Sequence, residues 1–288
     1  MHRTARARRA WELLETIHVV TYFAKACRQA FKDLGVPDSW DRYFGGRAAP
    51  LGRVAPSAVA AIFYGFAEHL AEEHLGPAFE AASPEQFLRA RLEGATSALG
   101  DLAGQAEFAR AAVALGPVAR ILPELPASGA PLFAANRAAG LSEDPLTRTF
   151  QLATVVREWR GDHHNAILAA NGIDGCAAHV LMYAIGAEPL EVAREGRGWS
   201  AAEWDRSRDT LAARGLVAND GSATAEGREL RAAIERATDA AMAPIFAGLD
   251  DSGLDRLADA LAPIADQLTA SKELPTMRRA AHLLSLDD

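Results

Sequence analysis

The sequence predicts a mainly α protein with one small β element near its C-terminal end. Three observations predict this. Alanine and arginine, both good helix formers, dominate the 288 residues, whereas lysine occurs only at positions 25, 32 and 272. β-Branched runs are short and rare, which argues against a large sheet. Helix-start signals recur along the chain, and one Asp-Gly turn lies between short strand-like segments.

The elements follow in order. Trp11, Leu14, Ile17, Val20, Phe23, Cys27 and Phe31 recur near helical spacing, so a first helix is expected from about Arg8 to Leu34, stopped by Gly35 and Pro37. The stretch Asp38–Pro56 holds three Gly and two Pro among aromatics and arginines and reads as a long, functional loop. Ser57 to His74 reads as a second helix closed by Gly76-Pro77. Ser83-Pro84-Glu85-Gln86 is a capping box that starts a helix to Leu99, and another follows over Ala103–Leu115. Prolines 117, 123, 126 and 131 then break the chain. Short helices are expected at Phe133–Ala139 and from Pro145 to Glu158 or beyond.

The C-terminal half is more specific. A helix over His163–Gly172 is followed by a turn and a second helix over Cys176–Ile185. Ser200-Ala201-Ala202-Glu203 caps a third helix ending at Arg214-Gly215. Leu216–Ala218 and Ala223-Thr224 flank Asn219-Asp220-Gly221 as a hairpin, and a long helix follows. This is the order of a winged helix-turn-helix. The predicted architecture is a helical N-terminal domain over residues 1–145, a winged helix-turn-helix with a short β-hairpin wing over 146–250, and a C-terminal helix and tail over 251–288. The amphipathic segment Leu254–Leu268 is expected to pack on the bundle or on a second subunit.

Composition excludes several classes. With 49% hydrophobic residues the chain buries a core and is not disordered. No apolar run approaches the ~18 residues of a membrane span, and no apolar signal core follows the basic opening, so a soluble cytoplasmic protein is expected. Cys27 and Cys176 lie far apart and in no metal spacing, which excludes a zinc ribbon or a disulfide scaffold. A net charge of −8 argues against a nucleic-acid coat protein.

The phrase Leu211-Ala-Ala-Arg-Gly-Leu-Val through Glu229-Leu230 resembles the end of a recognition helix, the wing and the next helix of MarR-like regulators. A wider resemblance covers nearly the whole chain. Its residues are His18–Phe23, Tyr43–Gly52, Arg157–His164, Asp174-Gly175 and Arg197–Ser200. On these the chain resembles an actinobacterial family of uncharacterised helical proteins with a C-terminal winged helix. In that family a His usually stands where this chain has Trp159, and a small residue stands at His163. The resemblance implies a fold and a polar pocket, without an established reaction.

Three constellations carry candidate chemistry. His18 and Tyr22 share one helix face at i, i+4. The stretch Arg157–Asn165 packs Arg157, Glu158, Arg160, Asp162, His163 and His164 between apolar runs, so some of these groups must point inward and find partners. The Gly45-Gly46-Arg47 segment places a guanidinium, suited to a carboxylate or phosphate, at a flexible bend. It is neither a P-loop nor a dinucleotide fingerprint. Each constellation taken singly also reads as an ordinary structural contact.

The sharper reading joins them. His18, Tyr22, Tyr43, Arg47, Arg157, Glu158, Arg160, Asp162 and His164 are the candidate ligand-binding residues of one pocket. The ligand is a small molecule, anionic or polar aromatic. No spacing demands a metal or a cofactor. His69 and Glu73 read as a solvated face, and the histidines at 18, 163 and 164 with Asp162 are the residues a metal or haem iron would use.

For DNA, the segment from Arg194 to Arg236 holds eight Arg against eight Asp and Glu. A DNA reader needs a basic face, so the fold favours DNA and the charge opposes it. Arg206 and Arg208 are the candidate DNA contacts. The leading reading is a small-molecule-binding winged-helix protein, such as a ligand-responsive transcription regulator, acting as a homodimer. The alternative is a small-molecule enzyme in which His164, Asp162, His18 and Tyr22 do acid–base work. A plain dimeric interaction module with a filled core is the third.

Overall fold

A computed structural model describes residues 2–271 and 274. In chain order the helices are α1 (Arg3–His18), α2 (Val20–Phe23), α3 (Lys25–Asp33), α4 (Ser39–Ala48), α5 (Pro56–Phe63), α6 (Glu68–Ala81), α7 (Pro84–Leu102) and α8 (Gln105–Ala114). Then come α9 (Gly116–Ile121), α10 (Pro131–Ala138), α11 (Pro145–Ala170), α12 (Gly175–Ala184), α13 (Leu190–Ala193), α14 (Ala201–Ala213), α15 (Ala225–Ala240) and α16 (Asp251–Ala270). The chain divides into two compact units. One comprises residues 2–53, 74–163 and 239–274, the other 54–73 and 164–238.

In the first unit α1 and α16 pack along each other, and α16 also meets α8. Leu254, Leu257, Leu261, Ile264 and Leu268 recur on one face of α16 and are fully buried with Leu14, Ile17, Leu99, Phe108, Phe150 and Trp159. Each such side chain contributes about 1.5–3 kcal/mol relative to exposure. The amphipathic C-terminal segment therefore packs back on its own bundle. The basic opening is spent on the same seam. Arg3 donates to the Leu249 carbonyl at 2.7 Å, Arg6 to Asp255 at 2.9 Å and Arg8 to Asp239 at 2.9 Å.

The long first helix expected from the periodicity is broken into α1, α2 and α3. Ala24 is extended, at φ −65° and ψ 142°, after a β-branched stretch through Val19, Val20 and Thr21 that weakens the helix. The expected loop after Asp38 is instead α4. Asp38 accepts from the amides of Trp40 and Asp41 and so starts the helix. Gly45 supplies no bend. A Cβ there would come within 2.5 Å of the Phe87 ring, so the glycine lets α4 and α7 approach closely. Arg47 consequently sits in the last turn of α4 rather than at a bend.

The capping boxes at Ser83–Gln86 and Ser200–Glu203 form as expected and open α7 and α14. The second expected helix is split at Tyr64, and Gly76-Pro77 does not end it, because α6 continues through Pro77 with Ala78, Phe79 and Ala82 buried beyond.

In the second unit Ile173, Val180, Leu181, Trp204, Leu211, Leu216 and Ile234 form the core beneath α12, α14 and α15. Asp174 caps α12 through the Ala177 amide. Gly175 must lack a side chain, since a Cβ would lie 1.8 Å from the Tyr64 carbonyl oxygen. Helices α12, α13 and α14 follow one another closely, and α12 packs on α14.

The β-hairpin wing is a correction. Among the described residues there is no strand. Only an isolated bridge pairs Val217 with Ala223 around the Asn219–Gly221 turn. The reason is local. Thr224, at the end of the second arm, donates to the Gly215 carbonyl and accepts from the Gly227 amide, so it starts α15 instead of extending a ladder. Arms this short leave room for one bridge and no sheet. The mainly α class stands.

Candidate functional site

The cluster lies wholly in the first unit. α1 and α2 bring His18 and Tyr22, α4 brings Tyr43 and Arg47, α7 brings Arg91, and α11 brings Thr154, Arg157 and Glu158. His18 is fully buried, with Nδ1 at 3.0 Å from the Thr154 hydroxyl and Nε2 at 3.1 Å from the Tyr22 hydroxyl. The Thr154 hydroxyl donates to the Phe150 carbonyl at 3.0 Å. It must therefore accept from His18, which puts the imidazole proton on Nδ1. Nε2 is then left to accept from the Tyr22 phenol. Burial, reinforced by Arg157, holds the His18 pKa well below its ordinary value, so the ring is neutral. Burial also raises the Tyr22 phenol pKa, so it keeps its proton for this bond.

Glu158 is the electrostatic centre. Arg157 donates to one of its oxygens at 2.7 Å and Arg47 faces the other at 3.5 Å. Burial works against ionisation, yet Arg157 and Arg47 together hold the carboxyl pKa at about 2. Arg157 also lies 3.6 Å from Glu15, and Arg47 donates to the Tyr43 hydroxyl at 3.2 Å. The Tyr22 and Tyr43 rings stand 5.1 Å apart, tilted by 40°. Arg91 donates to the Gly46 carbonyl at 3.2 Å and to Asn136 at 3.0 Å.

The other candidates go elsewhere. Asp162 is buried and accepts from the Phe133 amide at 2.8 Å, serving α10 as an external cap. Burial pushes its carboxyl pKa up to about 7 against the pull of that hydrogen bond, and it still feels Glu158 and Arg47. Arg160 pairs with Asp239 at 2.9 Å and stacks 4.0 Å above the Trp11 ring. His163 bonds the Trp159 carbonyl. Trp159 is buried and donates to the Ala241 carbonyl at 2.8 Å, so it serves as a packing group. His164 belongs to the second unit, where it meets Thr238 at 2.9 Å and Glu235 at 3.9 Å.

Glu15, Arg91, Thr154 and Asn136 escaped sequence reasoning. Thr154 was findable, being one turn before Glu158 on the same helix face. Arg91 carried no signal, as one of two Arg on a helix with no distinctive spacing.

Among the described residues a group able to hold a metal ion is Asp38, Asp41 and His74, whose ligand atoms lie within 4.8 Å of one another. Asp38 is already spent capping α4, and His74 bonds Asp41 at 2.8 Å, so the set is satisfied as a cap and a hydrogen bond. On α14, Arg208 lies 2.9 Å from Asp205 and 3.0 Å from Asp209, while Arg206 is exposed. Among the described residues no single helix is long and apolar enough to cross a membrane.

The fold is that of a mainly helical protein. The model of a helix-turn-helix family matches residues 7–275, and the chain belongs to that family. No curated protein and no solved structure matches it.

Proposed function

We propose that this helix-turn-helix protein is a regulatory protein that binds a small molecule at the cluster around Glu158, with the helix-turn-helix as its output module. One observation carries the reading. Three guanidiniums, from Arg47, Arg91 and Arg157, face a buried centre that holds two carboxylates, Glu15 and Glu158, with two phenols and a neutral imidazole around them. Asp162, half-protonated near pH 7, sets the balance: the centre carries one net positive charge when Asp162 is protonated and none when it is ionised. Buried excess charge is costly unless something compensates it, and an anionic ligand would.

The output face supports a modest role for DNA. Asp205 and Asp209 both pair with Arg208 on α14, and Arg206 is exposed beside them, so few phosphate contacts are available there. The acid–base enzyme comes second. Of its four residues, His18 and Tyr22 remain a hydrogen-bonded pair, while Asp162 caps a helix and His164 bonds within the other unit.

The test is ligand occupancy of the full chain, by native mass spectrometry and thermal melting against a panel of small organic acids, alcohols and amides. A saturable melting shift that is lost in Arg47→Gln supports the reading. A chain that stays ligand-free and unshifted across the panel overturns it.

A further inference from the structure

Asp38 and Asp41, at the start of α4, and His74, in the second half of α6, all belong to the first unit. One ligand atom from each lies within 4.8 Å of the others. His74 Nδ1 stands 2.8 Å from Asp41 Oδ1 and 3.7 Å from Asp38 Oδ1. Ligand atoms tetrahedrally placed at ~2.1 Å from a metal ion are about 3–3.5 Å from one another. The two separations straddle that spacing, so the three side chains stand close to binding geometry.

The bonds that satisfy the set leave it able to receive a cation. The amides of Trp40 and Asp41 both donate to Asp38 Oδ1, and among the described residues none donates to Oδ2. Slight burial pushes the Asp38 pKa up, but these amides, with His74 and Arg42 nearby, bring it below its ordinary value, so the carboxylate is ionised and held in orientation. Arg42, the guanidinium whose charge reaches it, donates to the Val36 and Pro37 carbonyls. Asp41 meets His74 through one oxygen only. The imidazole is fixed by its neighbours, stacked 6.2 Å from the Phe44 ring and tilted 6.3 Å from that of Trp40. Its Nδ1 proton serves the bond to Asp41. Among the described residues Nε2 has no hydrogen-bond partner, so the ring can carry its proton there instead and offer the Nδ1 lone pair to an ion. This change of tautomer releases no proton.

The donor set selects the ion. Magnesium and calcium take oxygen ligands, whereas one imidazole with two carboxylates is a nitrogen–oxygen set suited to zinc. Three protein ligands leave a fourth position for water, which reaches it past the half-exposed Asp38. We propose that Asp38, Asp41 and His74 form a zinc site that ties the start of α4 to the second half of α6. The proposal is independent of the ligand-binding reading above.

Zinc chloride and magnesium chloride, titrated calorimetrically into the untagged full chain and into Asp38→Asn, Asp41→Asn and His74→Gln, test it. Asparagine also caps helices, so Asp38→Asn keeps the start of α4. The unaltered chain should take one zinc ion at least about tenfold more tightly than magnesium, and each variant should lose at least about tenfold in zinc affinity. Zinc should raise the melting temperature of the unaltered chain and leave that of the variants unmoved. A chain that takes up no zinc, or holds it no more tightly than magnesium, overturns the proposal without any variant having to fold. Zinc affinity unchanged in Asp38→Asn and Asp41→Asn means that other histidines bind the metal, and it overturns the assignment to these residues.

Discussion

Glu158→Gln tests the electrostatic centre most directly. The substitution keeps the shape of the side chain and removes the charge that Arg157 and Arg47 share. Its size follows from the proton affinity of the carboxyl, which falls from an ordinary 4.5 to about 2 in the folded protein. At 1.36 kcal/mol for each tenfold change, this corresponds to about 3 kcal/mol of stability at neutral pH. A depressed carboxyl contributes fully above its unfolded value, so the contribution is complete above about pH 4.5 and is lost as the pH falls towards 2. The variant also leaves two buried guanidiniums short of a counter-charge, and breaking a buried pair costs about 3–5 kcal/mol. The expected result is a loss of about 3–5 kcal/mol at pH 7. Urea denaturation, followed by tryptophan fluorescence at pH 7 and again at pH 3, measures it. The gap between the two proteins should narrow at the lower pH. A variant within about 0.5 kcal/mol of the unaltered chain at pH 7 would refute the view that Glu158 neutralises these arginines.

Further outcomes follow from the same geometry. Asp162 has its pKa raised to about 7 by burial, so its contribution to stability is present below about pH 3.8 and is lost as the pH rises to 7. Asp162→Asn should therefore gain on the unaltered chain across that window, by on the order of 4 kcal/mol at its upper end, and pH-dependent denaturation of the pair would show it. A flat difference between the two would contradict the burial argument. Tyr22→Phe removes the donor to His18 Nε2 and leaves a buried acceptor without its bond, which should cost about 1–3 kcal/mol in the same assay. Gly45→Ala places a methyl 2.5 Å from the Phe87 ring and should destabilise by about 1–3 kcal/mol through overpacking of α4 on α7. For DNA, the logarithm of affinity against that of salt should have a shallow slope of about −1 to −2, and Arg206→Ala should reduce it by about one. A slope steeper than about −5 would mean that a basic face lies elsewhere on the protein.

What the sequence determined by itself is local. Capping boxes at Ser83 and Ser200 involve side chains three residues apart, and apolar spacing over α16 reflects the helical repeat, so both were legible without knowledge of the fold. The inward-pointing charge on α11 was legible too, because Arg157 and Glu158 sit within an apolar run that must be buried. What only the tertiary structure decided depends on contacts between distant segments. Whether Gly45-Gly46 bends a loop or admits a phenylalanine ring depends on Phe87, some forty residues away. The Asn219–Gly221 turn makes one bridge rather than a hairpin because Thr224 is drawn into capping α15. Neighbours on one helix parted company for the same reason: Glu158 joined the arginines, Asp162 capped α10, and His164 bonded Thr238. Successive α-helical residues point about 100° apart, so closeness in sequence does not bring side chains to one site. Only packing could assign each its neighbour, and it brought Arg91 to the centre from a helix that gave no sign of it.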